Sequence, residues 1–144
     1  MAKKKVIVSF DYENDKHYRN MLSAWDANPN FEFGFVDLTP SEIDTNNIDR
    51  IKAVLTRKIN DATYTLVIVG KEANKRHKDY KLIGFRNWII FEINQSKLNR
   101  NKIVAVKIDR TYKSPEELLN AGVSWAMSFK EEAILKALDE AQKG

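Results

Sequence analysis

Short apolar runs alternate along the chain with segments in which apolar residues recur every three or four positions. Runs of the first kind predict strands that are buried in a sheet. The third run is apolar at nearly every position from Leu66 to Val69, which is typical of a parallel sheet covered on both faces. The five predicted strands cover residues 5–10, 31–36, 63–70, 102–108 and, more briefly, 123–126.

The segment after the first strand predicts a helix. Asp15 can cap it, and the apolar residues Tyr18, Leu22 and Trp25 follow with helical spacing. The sequence Asn28-Pro29-Asn30 ends this helix, because the residue before a proline is disfavoured in helical conformation.

Two further helix starts are indicated by a hydroxyl residue, a proline and a glutamate in close succession. They lie at residues 39–42 and 114–117. A longer helix is expected after the first of them, with Ile48, Ile51, Leu55 and Ile59 on one face. A last helix is expected near the end of the chain.

Residues 87–98 are ambiguous by composition, since the run Trp88–Phe91 could form a strand. Helix is the better interpretation, because a crossover must join the parallel strands at 63–70 and 102–108. Strands and helices therefore alternate, about five of each. This order predicts an α/β fold of the flavodoxin-like, doubly wound class, with right-handed crossovers between parallel strands. No repeat or linker interrupts it, so residues 1–144 are expected to form a single domain.

Composition excludes several kinds of site and location. The 144 residues include no cysteine, which excludes disulfides, thiolate zinc ligands and thiol catalysis. Two histidines cannot complete an ordinary zinc site alone, so no metal is expected. The longest apolar runs are far shorter than a membrane span, and the apolar run near the amino terminus is too short for a signal peptide. We therefore expect a cytoplasmic protein without membrane contact.

The positive charge of the chain is concentrated in one segment. Residues 71–86, here called the basic segment, hold six lysines and arginines and two acidic residues, and thus account for the whole net charge of +4. Such a segment attracts anionic partners, although it could also be only a solvated surface.

Candidate site residues follow from the predicted topology. Ligands of open parallel sheets bind beyond the carboxyl ends of the strands, near the point where the strand order reverses. The residues expected at this edge are Ser9, Phe10, Asp11 and Tyr12 after the first strand, Asp37 after the second, and Gly70, Lys71 and Glu72 after the third. Asp11 could instead serve only as a helix cap, and Asp37 only as a turn residue.

Glu92 is out of place in its surroundings. It lies in an otherwise apolar run, where a buried charge costs several kcal/mol unless it is paired or protonated. It either faces solvent or is kept for function. Trp88 lies four residues earlier, so both would share one side of a helix. Familiar nucleotide sites are absent: no glycine-rich dinucleotide loop, P-loop or nucleophile elbow is present.

The motifs around these residues resemble a known family. The most specific is the Trp-x-x-x-Glu spacing of Trp88 and Glu92, and the second is Ser-Phe-x-Tyr at residues 9–12. With the segments 63–76 and 102–108, they resemble the TIR-like proteins of the Thoeris anti-phage system, the ThsB family, over nearly the whole chain.

This resemblance implies that NAD+ is consumed as a substrate and that no cofactor is needed. Such proteins cleave the nicotinamide–ribose bond, and then cyclise the remainder or join it to another group. The nucleotide messenger activates a partner effector once phage infection is sensed, and a phage-derived trigger and a homo-oligomer are expected. Glu92 would be catalytic, Phe10 or Tyr12 would contact a ring of the substrate, and Lys71 or a neighbouring loop cation would meet the pyrophosphate.

Two other functions stay open at this stage. A catalytically silent TIR-like module would assemble through the basic segment and would tolerate Glu92→Gln. Nucleic-acid binding by the same segment is disfavoured, because Tyr80 and Phe85 are the only aromatic residues interleaved with its cations and the rest of the chain is balanced in charge.

Overall fold

The five predicted strands form one parallel sheet. The computed structural model describes residues 3–38, 40, 43 and 45–143. The strands are β1 (Lys4–Ser9), β2 (Phe33–Asp37), β3 (Tyr64–Val69), β4 (Lys102–Lys107) and β5 (Ser124–Ala126). Their order across the sheet is β2-β1-β3-β4-β5, and every neighbouring pair is parallel. The flavodoxin-like prediction is confirmed, and the strand order reverses between β1 and β3.

Among the described residues, five α-helices connect or follow the strands. The ambiguous segment 87–98 is helical, as predicted. A 3-10 helix over Glu116–Leu118 replaces the longer helix expected after residue 114. The α-helices are α1 (Tyr12–Asp26), α2 (Ile48–Asn60), α3 (Tyr80–Ile83), α4 (Trp88–Leu98) and α5 (Glu131–Lys143).

Two predicted helix starts need correction. Asp15 does not cap α1; Asp11 does, and its carboxylate accepts a hydrogen bond from the Glu13 amide. α2 begins at Ile48 with Asn47 as its cap, later than the pattern at residues 39–42 suggested. Residues 39, 41 and 42 of that pattern lie outside the described residues. In both cases the carboxamide or carboxylate nearest the first free backbone amides takes the capping position.

The sheet is covered on both faces, and alternate residues of each strand enter different parts of the core. Val6 and Val8 of β1 point to the face covered by α1 and α5, whereas Ile7 points to the face covered by α2 and α4. α4 is buried over six of its eleven residues, so it is a core helix. Within the described part of the chain, no helix is both long enough and apolar enough to span a bilayer.

Candidate functional site

Glu92 lies inside the protein at the carboxyl end of β1. Its side chain is 1 % exposed, and Ser9, the last residue of β1, is fully buried. The Ser9 hydroxyl donates a hydrogen bond to Glu92 Oε1 over 2.5 Å. The second oxygen, Oε2, is buried and has no hydrogen-bond partner among the described residues. The carboxyl group is therefore held through one oxygen, and the other is buried without a partner among these residues.

A second contact fixes the turn of α4 that carries this glutamate. The Ser96 hydroxyl donates to the Glu92 carbonyl over 2.8 Å, and it lies 2.8 Å from the Thr65 hydroxyl of β3. α4 is thus tied to β1 through the Glu92 side chain and to β3 through the Ser96 side chain. These ties hold Glu92 next to the two strands between which the strand order reverses.

The environment of Glu92 favours its protonated form. Burial raises the pKa of the Glu92 carboxyl well above its usual range, because a buried anion loses its hydration. The Ser9 hydrogen bond and the positive charge of Lys58 on α2 oppose this rise. Carboxyl groups with strongly raised pKa values are concentrated in functional sites, so burial marks Glu92 as a candidate.

Asp15 is a second buried carboxyl group, for which the sequence pattern predicts only a capping role. It is 5 % exposed, and its Oδ2 has no hydrogen-bond partner in the part of the chain that is described. Burial, and then the charges of Asp11 and Glu72, raise the pKa of Asp15 to about 6. The sequence carries one signal of this burial: Asp15 lies on the same helical face as the apolar residues Tyr18 and Leu22.

Gly70 makes room for the Asp15 carboxyl group. It directly follows β3 and is buried. A β-carbon at residue 70 would lie 2.0 Å from Asp15 Oδ2 and 2.6 Å from Oδ1. The close approach of Asp15 to the end of β3 therefore requires glycine at this position.

Gly70→Ala should destabilise the protein by about 1–3 kcal/mol, because the new methyl group overlaps a buried carboxyl group. Urea unfolding measures this cost. Gly34→Ala is the matched control, since a β-carbon there would meet only Lys3 side-chain atoms, at 3.5 Å and 3.8 Å, and little change is expected. If the overlap is the cause, Asp15→Ala should reduce the penalty of Gly70→Ala, and simple additivity of the two changes would contradict this account.

The other residues predicted after β1 occupy different environments. Phe10 is 5 % exposed and belongs to the core between the sheet and helices α1 and α5. Tyr12 is 38 % exposed, with Lys16 Nζ 5.4 Å from its ring centroid. Asp11 caps α1, which was the alternative to a role in ligand binding. Its carboxylate also accepts a hydrogen bond from Asn14 Nδ2 over 2.6 Å.

The three remaining predicted residues are more widely spread. Asp37 is the last residue of β2, and its carboxylate forms an ion pair with Arg19 of α1. Trp88 opens α4 and packs edge-on against Phe91, with ring centroids 5.7 Å apart. Lys71 is exposed directly after Gly70. The structure thus brings Ser9 to Glu92 and Gly70 to Asp15, whereas Asp37 and Trp88 contact other groups.

The basic segment is well anchored. Arg86 donates to both carboxylate oxygens of Glu117 and to Asn74 Oδ1, each over 2.8 Å. Asn87 donates to the carbonyls of Ala73 and Lys75 over 2.9 Å. Bidentate arginine–carboxylate pairs are among the stronger polar contacts. Five exposed cations stay on its surface: Lys71, Lys75, Arg76, Lys78 and Lys81.

Comparison with known families assigns the chain. The sequence model for the TIR-like domain of the Thoeris protein ThsB matches residues 7–113. The chain belongs to the ThsB TIR-like family. The range matched by the ThsB model contains both buried carboxyl groups and the strands β3 and β4 in full. None of the curated proteins compared matches this ThsB-family chain.

A solved structure supports the fold assigned to this ThsB-family chain. A 2-desoxiribosyltransferase from Leishmania mexicana aligns with a TM-score of 0.55, and the alignment covers 95 % of this chain and 97 % of that one. The two sequences are only 12 % identical. At this identity the likeness supports the shared α/β architecture alone.

Proposed function

We propose that this chain is an NAD+-consuming TIR-like enzyme of bacterial anti-phage defence and that Glu92 is its catalytic residue. The observation that carries the proposal is the buried Glu92 carboxyl group at the end of β1, with one oxygen held by Ser9 and the other without a hydrogen-bond partner among the described residues. A carboxyl group kept in this state costs stability, which favours a role in chemistry over a role in packing.

The proposed reaction breaks the bond between the nicotinamide nitrogen and ribose C1′. Nicotinamide leaves as a neutral molecule with the bonding electron pair, and the ribose becomes oxocarbenium-like. The Glu92 carboxylate stabilises this positive charge, as carboxylates do in glycoside hydrolysis. A hydroxyl group of the same molecule or another acceptor then bonds to C1′ and loses its proton. The product is an ADP-ribose-type messenger, cyclic or conjugated.

The exposed fraction of each side chain indicates which residues could contact the substrate. Tyr12 is better placed than Phe10 to stack on a substrate ring, since Phe10 is in the core. Lys71 is an exposed cation at the same edge of the sheet and would meet the pyrophosphate. Because Glu92 is 1 % exposed, the substrate must displace side chains that now cover it. We therefore expect a phage-derived trigger to be required for full activity.

The biological setting is part of the same proposal. The chain would act in the cytoplasm as one TIR-like domain over residues 1–144, without cofactor or metal, and as a homo-oligomer. Its messenger would activate a separate effector protein. Neither membrane nor nucleic acid would take part.

The test is mass spectrometry of small molecules from phage-infected cells that express the chain. Wild type should deplete NAD+ and accumulate nicotinamide with an ADP-ribose-type product. Glu92→Gln should lower the rates of NAD+ depletion and of product accumulation by about a hundredfold or more. Glu140→Gln, on the exposed face of α5, is the matched control and should behave as wild type. Equal NAD+ depletion by wild type and Glu92→Gln would refute the role of Glu92.

A catalytically silent assembly module is the second candidate. The rigid anchoring of the basic segment by Arg86 and Asn87 favours it, because an ordered cationic surface suits a protein partner. It predicts that Glu92→Gln protects cells normally, whereas charge reversal at Lys75, Arg76 and Lys78 abolishes protection.

A further inference from the structure

Asp15 borders a cleft that shares one residue, Lys71, with the proposed substrate contacts. The cleft, here called the Asp15 cleft, has a volume of about 380 Å³ and is lined by Asp15, Tyr18, Lys71, Glu72 and Tyr112, among others. Tyr18 is braced by Phe129, with ring centroids 5.0 Å apart. The cleft thus combines two carboxylates with two aromatic rings, one of which is fixed by packing.

The Asp15 cleft and Glu92 lie on opposite faces of the sheet. Ser9, which holds Glu92, points to the face covered by α2 and α4, as does its neighbour in register Val67. Gly70 lies three residues beyond Val67, about 10 Å farther along the strand direction, and points to the face covered by α1. The two buried carboxyl groups therefore serve separate places on the same edge of the sheet.

The Asp15 carboxyl group lacks a donor. It is 95 % buried, Oδ2 has no hydrogen-bond partner among the residues described, and no described lysine or arginine forms an ion pair with Asp15 or Glu72. Buried polar atoms normally have a hydrogen-bond partner, because a buried polar group without one has lost its hydration with no compensation. Oδ2 lies against Gly70 and has almost no exposed surface, so an external donor would reach this carboxyl group at Oδ1.

The charge of the cleft lining indicates which kind of hydrogen-bond donor would bind to Asp15. Asp15 and Glu72 outnumber Lys71 in the lining, and Asp11 adds negative potential, as the raised pKa of Asp15 reflects. This surplus of negative charge attracts a positively charged ligand. Within the described ranges, no three acidic or histidine side chains are placed to hold a metal ion. Tyrosine rings, by contrast, favour organic cations.

We propose that the Asp15 cleft binds a small organic molecule through a positively charged amino group, with Asp15 as its main acceptor. The ammonium group donates to the buried carboxylate, Glu72 adds charge attraction, and the apolar part of the ligand lies against the tyrosine rings. This inference does not depend on the proposed function, because it concerns a different carboxyl group and a binding step alone.

The test is an NMR titration of the full chain with n-butylammonium chloride near pH 8, where Asp15 is ionised. Sodium chloride keeps the ionic strength constant. The backbone amides of Gly70 and Lys71 should shift saturably below about 50 mM ligand. Asp15→Asn should weaken binding by about tenfold or more, because it removes the charge at constant shape. Glu13→Gln, an exposed acid on the same helix, is the matched control and should leave binding unchanged.

Three results would overturn the proposal. If the wild-type amides show no saturable shifts, the cleft does not bind the ammonium ligand. If Asp15→Asn binds as tightly as wild type, the ligand binds at another place. Equal shifts with n-butanol, D-ribose or magnesium chloride would assign the cleft to a hydroxyl group or a metal ion. Asp15→Asn removes an unfavourable buried charge, so it should fold, and its amide spectrum verifies this.

Discussion

NAD+ turnover should rise about tenfold per pH unit until Glu92 is ionised, and should then level off. The proposed chemistry needs the carboxylate form, because only the anion stabilises the positive charge that develops on the ribose. Burial raises the pKa of Glu92 well above its usual range, against the opposing effects of Ser9 and Lys58. The rising limb should therefore lie at higher pH than for an exposed glutamate. Over three pH units below the plateau, the expected change is about a thousandfold.

The measurement is kcat/KM for nicotinamide release across about pH 5 to 9, which reports ionisations of the free enzyme. The protein is purified from infected cells so that any activating step has occurred. Glu92→Gln should give a low rate without this limb, whereas Glu140→Gln should retain it. A rate that falls as pH rises would mean that the neutral acid acts as a proton donor, and the carboxylate mechanism would be wrong.

Glu92→Gln should stabilise the folded chain at alkaline pH by about 2–4 kcal/mol, because a buried uncompensated charge costs several kcal/mol. In wild type, the folded state holds the Glu92 proton to higher pH than the unfolded chain does. The free energy of unfolding should therefore fall as pH rises from the unfolded pKa through the folded pKa, by up to about 1.4 kcal/mol per unit. Glutamine has no such proton, and its oxygen can still accept from Ser9.

Urea unfolding at about pH 5, 7 and 9 measures this difference. Asp15 has its own window, between its usual pKa and about 6, and Asp15→Asn should remove that part alone. A fall in the free energy of unfolding at pH values above the Asp15 range is assigned to Glu92. Were Glu92→Gln less stable than wild type at pH 9, the burial of an uncompensated charge at this position would be refuted. A gain in stability together with a loss of activity is the signature expected of a catalytic group.

The strands and most helices were predictable because their signals are local. Continuous apolar runs and three-and-four spacing arise from backbone geometry, and they survive in any tertiary context that buries them. Helix starts were less predictable. Asp11, Asp15 and Asn47 all belong to residue types that cap helices, and only the position of the first free amides decides which of them does so. Glu92 was identifiable because a lone charge in an apolar run conflicts with its surroundings.

The role of Asp15 could not be predicted, because it depends on a residue in another part of the chain. Its burial follows from the absence of a side chain at Gly70, which only the approach of α1 to the end of β3 makes relevant. Phe10 shows the reverse. Its neighbour Ser9 reaches Glu92, but strand alternation turns Phe10 to the opposite face and into the core.

By itself, the sequence determined the parallel α/β architecture, the single anomalous glutamate and the place of the positive charge, because each depends on residue type and near-neighbour spacing. Only the tertiary structure decided which polar groups meet. Ser9 and Glu92 are 83 residues apart in the chain, and their hydrogen bond exists because β1 and α4 pack together. The same packing leaves Glu92 Oε2 and Asp15 Oδ2 without partners among the described residues, and desolvation at those two places creates the sites proposed above.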